Sequence, residues 1–76
     1  MTIKEFEVQN ALGLLSDALK RQLARDPTTS KEMLTRLSID KHWSVRYWVA
    51  KNSNTPEKVL KKLSTDRHKY VRIVNE

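Results

Sequence analysis

A 26-residue repeat constrains the fold of this chain more than any other feature. Residues 29–50 align without a gap on residues 55–76, with eight identities in 22 positions. The identical pairs are Thr29/Thr55, Leu34/Leu60, Leu37/Leu63, Ser38/Ser64, Asp40/Asp66, His42/His68, Val45/Val71 and Arg46/Arg72. The same shift places Leu19-Lys20 on Val45-Arg46. Because caps, apolar positions and charges stay in phase, the chain repeats one supersecondary unit.

The composition predicts that this unit is helical. The chain has one glycine and two prolines in 76 residues, which favours helices with tight connections. Thr2-Ile3-Lys4-Glu5 fits a capping box, and apolar residues follow at roughly helical spacing. We therefore expect a long first helix to about Arg25, with Gly13 as its weak point. Asp26-Pro27 ends this helix, because the residue before a proline is disfavoured in the α region.

Four shorter helices are expected after Pro27. Thr29 opens a second capping box, Asp40 is expected to cap the third helix, and Thr55 the fourth. A fifth helix follows Asp66, and no segment has the pattern of a strand. The residues expected to face inward are Met33, Leu34, Leu37, Val45, Trp48, Val49, Val59, Leu60, Leu63, Val71 and Val74.

One stretch of the repeat has a specific pattern. It reads Val45-Arg46-Tyr47-Trp48-Val49-Ala50-Lys51-Asn52-Ser53-Asn54-Thr55-Pro56, and Leu60, Leu63 and Asp66 follow it. This pattern resembles the leucine-rich repeat variant family and, more loosely, HEAT-like repeats. The resemblance covers about residues 19–76. It implies right-handed stacks of paired short helices that serve mainly as binding scaffolds.

The sequence also departs from that family. Some variant-repeat proteins carry an iron–sulfur cluster in a cysteine-rich segment, but this sequence contains no cysteine. No cluster or other cofactor is therefore implied, and disulfides and cysteine nucleophiles are excluded within this sequence. Leu14 stands where Asp40 would align, so the first helix resembles a degenerate cap.

These observations predict an all-α fold, a short α-solenoid of stacked helix pairs. We expect a single domain over residues 1–76: a cap helix with a degenerate repeat at 1–27, a full repeat at 28–54, and a partial repeat at 55–76. Each unit buries its apolar face only against a neighbour, so this number of units is near the lower limit for stability. An exposed apolar end would favour a homo-oligomer or a longer parent chain.

The charge distribution favours acidic partners. Fifteen Lys and Arg against nine Asp and Glu give a net charge of +6, divided as −2 over residues 1–19 and +8 over residues 20–76. Such an excess suits nucleic acid, an anionic membrane surface or an acidic protein, and it also favours solubility. No apolar run approaches the length of a membrane span, and the N-terminus is too acidic for a secretory signal. A soluble cytoplasmic protein is the expectation.

Two pairs of charged residues recur with the repeat. Arg46 and Arg72 each follow an aspartate, Asp40 and Asp66, by six residues. HEAT-like repeats are similar in using Asp and Arg at this spacing as a structural ladder between units. A buried arginine also needs a carboxylate partner. We therefore assign these four residues to a structural ladder rather than to phosphate binding.

The histidines His42 and His68 lie one repeat apart, each in an Asp-x-His sequence. Neighbouring helices lie about 8–10 Å apart, which is wide for two imidazoles to share one metal ion. A position at a helix start or in solvent is the favoured interpretation. No serine or paired carboxylate lies at a spacing typical of a catalytic site. The sequence thus predicts no metal, no catalytic residue and no enzyme activity.

Three aromatic residues lie within positions 43–48. Trp48 aligns with Val74 and is expected in the core, whereas Trp43 aligns with the polar Lys69 and stands one helical turn from Tyr47. Trp43 and Tyr47 could form a partly exposed patch, where binding hot spots concentrate, or merely pack on a neighbouring element.

Many basic residues remain outside the ladder. They are Lys20, Arg21, Arg25, Arg36, Lys41, Lys51, Lys58, Lys61, Lys62, Arg67 and Lys69. We predict a binding surface formed by Trp43, Tyr47, Lys41, Lys51 and Arg67. The leading functional hypothesis is a helical-repeat module that binds a protein, and the positive charge suits an acidic one. The alternative is sequence-independent binding of nucleic acid through the basic face.

Overall fold

The computed structural model describes residues 1–75, and these residues form helices and turns without a strand. The elements are α1 (Ile3–Ala11), α2 (Asp17–Arg25), α3 (Lys31–Leu37), α4 (Trp43–Lys51), α5 (Glu57–Leu63), α6 (Lys69–Arg72) and a 3₁₀ turn (Ile73–Asn75). The predicted all-helical class is confirmed over this range. Glu76, the last residue of the predicted partial repeat, lies outside the described residues.

The prediction of one long first helix is wrong. The capping box of Thr2 and Glu5 is present as expected, but α1 ends at Ala11. Gly13 has a φ of +71°, a left-handed conformation that interrupts the helix,. The chain then restarts at Ser16, whose hydroxyl accepts a hydrogen bond from the Leu19 amide,.

The predicted caps at Thr29 and Thr55 are also wrong. Ser30 rather than Thr29 caps α3, and α5 has no side-chain cap. The two threonines turn back toward the preceding helix instead. Thr29 Oγ1 donates to the Leu23 carbonyl and Thr55 Oγ1 to the Val49 carbonyl, each at 2.6 Å. They therefore satisfy carbonyls at helix C-termini, which also lack intrahelical partners.

Histidines cap α4 and α6 where Asp40 was expected to cap α4. The Nδ1 atom of His42 accepts a hydrogen bond from the Ser44 amide, and that of His68 from the Tyr70 amide, each at 3.2 Å. Asp40 Oδ1 accepts instead from the His42 amide at 2.9 Å. In each Asp-x-His sequence the aspartate carboxylate accepts a hydrogen bond from the histidine amide, and the histidine side chain caps the helix that follows.

The helix boundaries follow the sequence repeat. Helices α2 and α4 are offset by 26 residues, as are α3 and α5. Helix α4 lies centrally and packs against α2, α3, α5 and α6. The buried apolar residues are Phe6, Leu15, Ala24, Met33, Leu34, Leu37, Val45, Val49, Ala50, Val59, Leu63 and Val71.

A few apolar residues expected in the interior lie nearer the surface. Trp48 is only half-buried, as are Leu60 and Val74. Leu12 and Leu19, two of the apolar residues at helical spacing after the first capping box, are exposed. For Trp48 the physical reason is its position on the side of α4 that faces solvent and two cationic side chains.

Candidate functional site

An ion pair joins two successive repeats in the interior. Arg46 donates to the Asp66 carboxylate from Nε at 2.8 Å and from Nη2 at 3.1 Å. Its Nη1 donates to the Asp40 carbonyl at 2.6 Å. The side chains of Arg46 and Asp66 are 6% and 9% exposed. Arg46 thus binds the backbone of its own repeat and the carboxylate of the next.

Lys20 makes the corresponding contact one repeat earlier. Its Nζ lies 2.8 Å from Asp40 Oδ2, and both side chains are largely buried. The prediction that Lys20 lies outside the ladder is therefore wrong. The sequence could have indicated this pair, because Lys20 aligns with Arg46 and Asp40 aligns with Asp66. The charged pairs connect residues 20 positions apart and so join neighbouring units.

The environment of Asp66 favours its ionised form. Burial raises the pKa of this carboxyl group, but hydrogen bonds from Arg46 and the His68 amide act in the opposite direction,. The positive charges of Arg46 and Arg67 add to the lowering. The result is a pKa below the ordinary value of 3.8, so Asp66 is negatively charged at neutral pH.

A buried asparagine provides a second link between repeats. Asn52 Nδ2 donates to the carbonyls of Ala24 at 2.8 Å and Asp26 at 2.9 Å. Its Oδ1 accepts from the Asn54 amide at 2.8 Å. Asn52 aligns with Asp26 in the 26-residue repeat, and the two turns are in contact.

The aromatic residues of α4 form a cluster with residues near α6. The rings of Trp43 and His68 are stacked, with centroids 4.3 Å apart and an angle of 8° between their planes. Tyr47 lies edge-on to Trp43 and to Trp48, with centroid distances of 6.2 and 5.2 Å. Tyr70 lies 5.7 Å from Trp43. The cluster thus extends across two repeats.

A groove of about 460 Å³ opens along this cluster. It is lined by Trp43, Ser44, Tyr47, Trp48, Tyr70 and Ile73. Tyr70 and Ile73 are 53% and 43% exposed, so part of this lining faces solvent. Single exposed apolar residues are common, but a contiguous set in a concavity is typical of a binding site.

Two cations lie beside the aromatic rings. The guanidinium carbon of Arg25 lies 4.7 Å from the Trp48 ring centre. Lys51 Nζ lies 5.5 Å from the Tyr47 ring centre and 5.6 Å from that of Trp48. These are cation–π distances. They place positive charge beside an apolar groove.

The structure brings together part of the predicted binding surface. Trp43 and Tyr47 line the groove, and Lys51 lies over the Tyr47 ring. Lys41 lines a different concavity, and Arg67 is exposed near Asp66. Sequence reasoning missed His68, Tyr70, Ile73 and Arg25 as members of the groove or its edge. The repeat alignment places Tyr70 on Ser44, but only the packing of α6 on α4 shows that both line one groove.

A larger concavity, of about 680 Å³, lies between α1 and the turn before α4. Its charged groups are largely paired within the fold. Lys20 contacts Asp40 at 2.8 Å, and Arg36 Nε contacts Glu7 Oε1 at 2.7 Å. This concavity therefore presents balanced charge, whereas the groove along α4 has two cations at its edge.

The described residues present no obvious centre for metal chemistry. Within residues 1–75, no group of three or more His, Asp or Glu side chains is placed to hold an ion. His42 and His68 each use Nδ1 to cap a helix. Across the same range, none of the helices has the length and apolar character needed to cross a lipid bilayer.

Comparison with known proteins gave no match to a family model, a curated protein or a solved structure. The resemblance to the leucine-rich repeat variant and HEAT-like families therefore stays an interpretation of the sequence pattern.

Proposed function

We propose that this chain is a non-enzymatic interaction module, built as a short α-solenoid, that binds an acidic segment of a protein partner. The solenoid interpretation is supported by the common 26-residue offset of α2/α4 and α3/α5. The extents of 33 × 20 × 17 Å also suit a stack longer than it is wide. Such scaffolds expose an extended surface to their partners.

The groove along α4 is the observation that carries the proposal. Its aromatic lining suits an apolar side chain of the partner, and aromatic residues dominate binding energy in protein interfaces. Arg25 and Lys51, which both lie against the Trp48 ring, suit carboxylates next to that apolar anchor,. The net charge of +6 would accelerate the encounter with an acidic segment,.

The same geometry disfavours nucleic acid as the partner. A base stacks on a ring face that is open to it. Here His68 covers one face of Trp43, Arg25 lies over Trp48, and Lys51 approaches the Tyr47 ring. These contacts leave less ring surface on which a base could stack.

A pair of matched peptides tests this function. Both carry a fluorescein label and two runs of about five aspartates, separated by Leu-Phe in one peptide and by Ser-Ser in the other. We expect the Leu-Phe peptide to bind about tenfold more tightly by fluorescence anisotropy, because burial of its two apolar side chains adds to the charge attraction. Equal affinities, or tighter binding of a single-stranded oligonucleotide, would contradict the proposal.

Two isoleucine variants provide the matched control. Ile73 lines the groove, whereas Ile39 is 79% exposed in the other concavity. Ile73→Ala should weaken binding of the Leu-Phe peptide several-fold and leave binding of the Ser-Ser peptide unchanged. Ile39→Ala should change neither. An equal effect of the two substitutions would place the peptide outside the groove.

A further inference from the structure

Arg72 is the counterpart of Arg46 one repeat later, and its backbone contact is the same. Arg46 Nη1 donates to the Asp40 carbonyl at 2.6 Å, and Arg72 Nη1 donates to the Asp66 carbonyl at 2.8 Å. In each repeat the arginine thus bonds the carbonyl of the aspartate six residues before it. This bond holds one nitrogen of the Arg72 guanidinium in place.

The other edge of the guanidinium differs between the two arginines. Arg46 uses Nε and Nη2 to bind the Asp66 carboxylate. Within residues 1–75, no carboxylate lies within ion-pair distance of Arg72. The Arg46 side chain is buried against the following repeat, whereas Arg72 is exposed. Among the described residues, Arg72 therefore has no carboxylate at the edge that Arg46 uses to bind one.

We infer that Arg72 is a docking site for an aspartate or glutamate side chain of the protein partner. The contact of Arg46 with Asp66 is the internal template for this interaction. A guanidinium fixed at one nitrogen can offer two parallel N–H groups to a carboxylate, which gives a strong and directional contact. The inference rests on the proposed function, because it adds a carboxylate site to the same acidic partner.

Arg72 lies close in sequence to two residues of the aromatic groove. Arg72 lies between Tyr70 and Ile73, which both line the aromatic groove. One short segment thus supplies apolar contacts and a carboxylate-binding side chain. A partner with an acidic residue close to an apolar anchor matches this combination.

A second copy of the chain is a poor occupant for this site. Asp40 is already held by Lys20 and Asp66 by Arg46, each at 2.8 Å. Leu14 stands at the aligned position of the first repeat and has no carboxylate. A second copy therefore offers no vacant aspartate at the ladder position, so we assign the site to the acidic segment of the proposed partner.

Two arginine variants with the same change in charge test the site. The substitution Arg72→Gln should weaken binding of both aspartate peptides by about tenfold, because it removes a directed contact. The control Arg67→Gln removes an exposed charge five positions earlier and should weaken binding only about twofold. If the two variants bind equally, the peptides respond to net charge alone and the inference is overturned.

A conservative variant separates geometry from charge. Arg72→Lys keeps the positive charge but lacks the planar pair of N–H groups. It should bind both peptides more weakly than the unaltered chain, and full affinity would overturn the inference. Circular dichroism spectra that match the parent spectrum would show that the exposed substitutions leave the helices intact.

The outcomes also distinguish this inference from the proposed function. If the chain does not prefer the Leu-Phe peptide over the Ser-Ser peptide, the proposed binding in the groove is overturned, whatever the effect of Arg72→Gln. A retained preference together with equal effects of Arg72→Gln and Arg67→Gln would overturn only the arginine site. A dimer detected by light scattering and disrupted by Arg72→Gln would overturn the choice of a different protein as the occupant.

Discussion

Arg46 and Asp66 form a two-point ion pair across the boundary between repeats, with N–O distances of 2.8 and 3.1 Å. The pair is buried, and a third nitrogen of Arg46 bonds the backbone of its own repeat. Removal of either partner would leave a charged group with little access to water. The relative position of the two repeats therefore depends on both residues.

The substitution Asp66→Asn should destabilise the fold by about 2–3 kcal/mol, because Arg46 loses a charge-assisted contact while it stays buried. The matched control is Asp17→Asn. Asp17 lies 3.6 Å from Lys20, but its side chain is 51% exposed, so its loss should cost less than about 0.5 kcal/mol. Urea denaturation at neutral pH measures both values. Similar effects of the two substitutions would show that the buried pair does not hold the repeats together.

Stability should also decline in acid through Asp66. Its pKa is lower in the folded protein than the ordinary value of 3.8, so the unfolded chain takes up this proton at higher pH. The contribution of Asp66 is therefore fully present well above pH 3.8 and is lost as the pH falls through the folded pKa,. The stability difference between the parent chain and Asp66→Asn should narrow over this range.

That comparison isolates Asp66 from two other carboxyl groups. A hydrogen bond from the Thr2 amide lowers the pKa of Glu5, and hydrogen bonds from Thr28 lower that of Asp26. Both groups are retained in the parent and in Asp66→Asn, so their effects cancel in the difference. A difference that stays constant from neutral pH to about pH 2 would exclude the assigned role of Asp66.

The repeat in the sequence predicted the central helices and most of the core. Val45, Val49 and Val71 are fully buried, as their helical spacing indicated. The assignments of Thr29 and Thr55 as caps failed because a threonine hydroxyl can accept from the next helix or donate to the previous one. Thr29 and Thr55 do the latter. Local sequence does not decide between these options, because the choice depends on how the helices pack.

The groove was predicted only in part for a related reason. The i, i+4 spacing of Trp43 and Tyr47 on one helix placed them together correctly,. The stacking of His68 on Trp43 joins residues 25 positions apart and depends on the packing of α6 against α4. The sequence does not show that the Trp43 and His68 rings lie next to each other in the fold.

Gly13 should resist replacement by alanine. Its φ of +71° is costly for a residue with a Cβ, although nothing lies within 4 Å of the added atom. We expect Gly13→Ala to destabilise the protein by about 1–2 kcal/mol through backbone strain alone. A continuous helix through residue 13 would give the opposite sign, since alanine favours helices. Thermal or urea denaturation of this single variant therefore decides between a broken and a continuous first helix.

Asn52 should be another sensitive position. Substitution by alanine would remove the donor to the Ala24 and Asp26 carbonyls. Because the site is buried, we expect a loss of about 2–3 kcal/mol. Ser53→Ala is the control, since Ser53 is exposed in the same turn, and it should change stability by less than about 0.5 kcal/mol. Equal denaturation midpoints for the two variants would contradict the assigned link between the turns.

The most direct test of the account is to locate the acidic peptide on the protein. Titration of the ¹⁵N-labelled chain with the Leu-Phe aspartate peptide can be followed by two-dimensional NMR. We predict that the indole signals of Trp43 and Trp48 and the amide signals of residues 70–73 shift most. Shifts confined to the exposed lysines of α5, Lys58, Lys61 and Lys62, would contradict the groove and indicate attraction to a basic face alone.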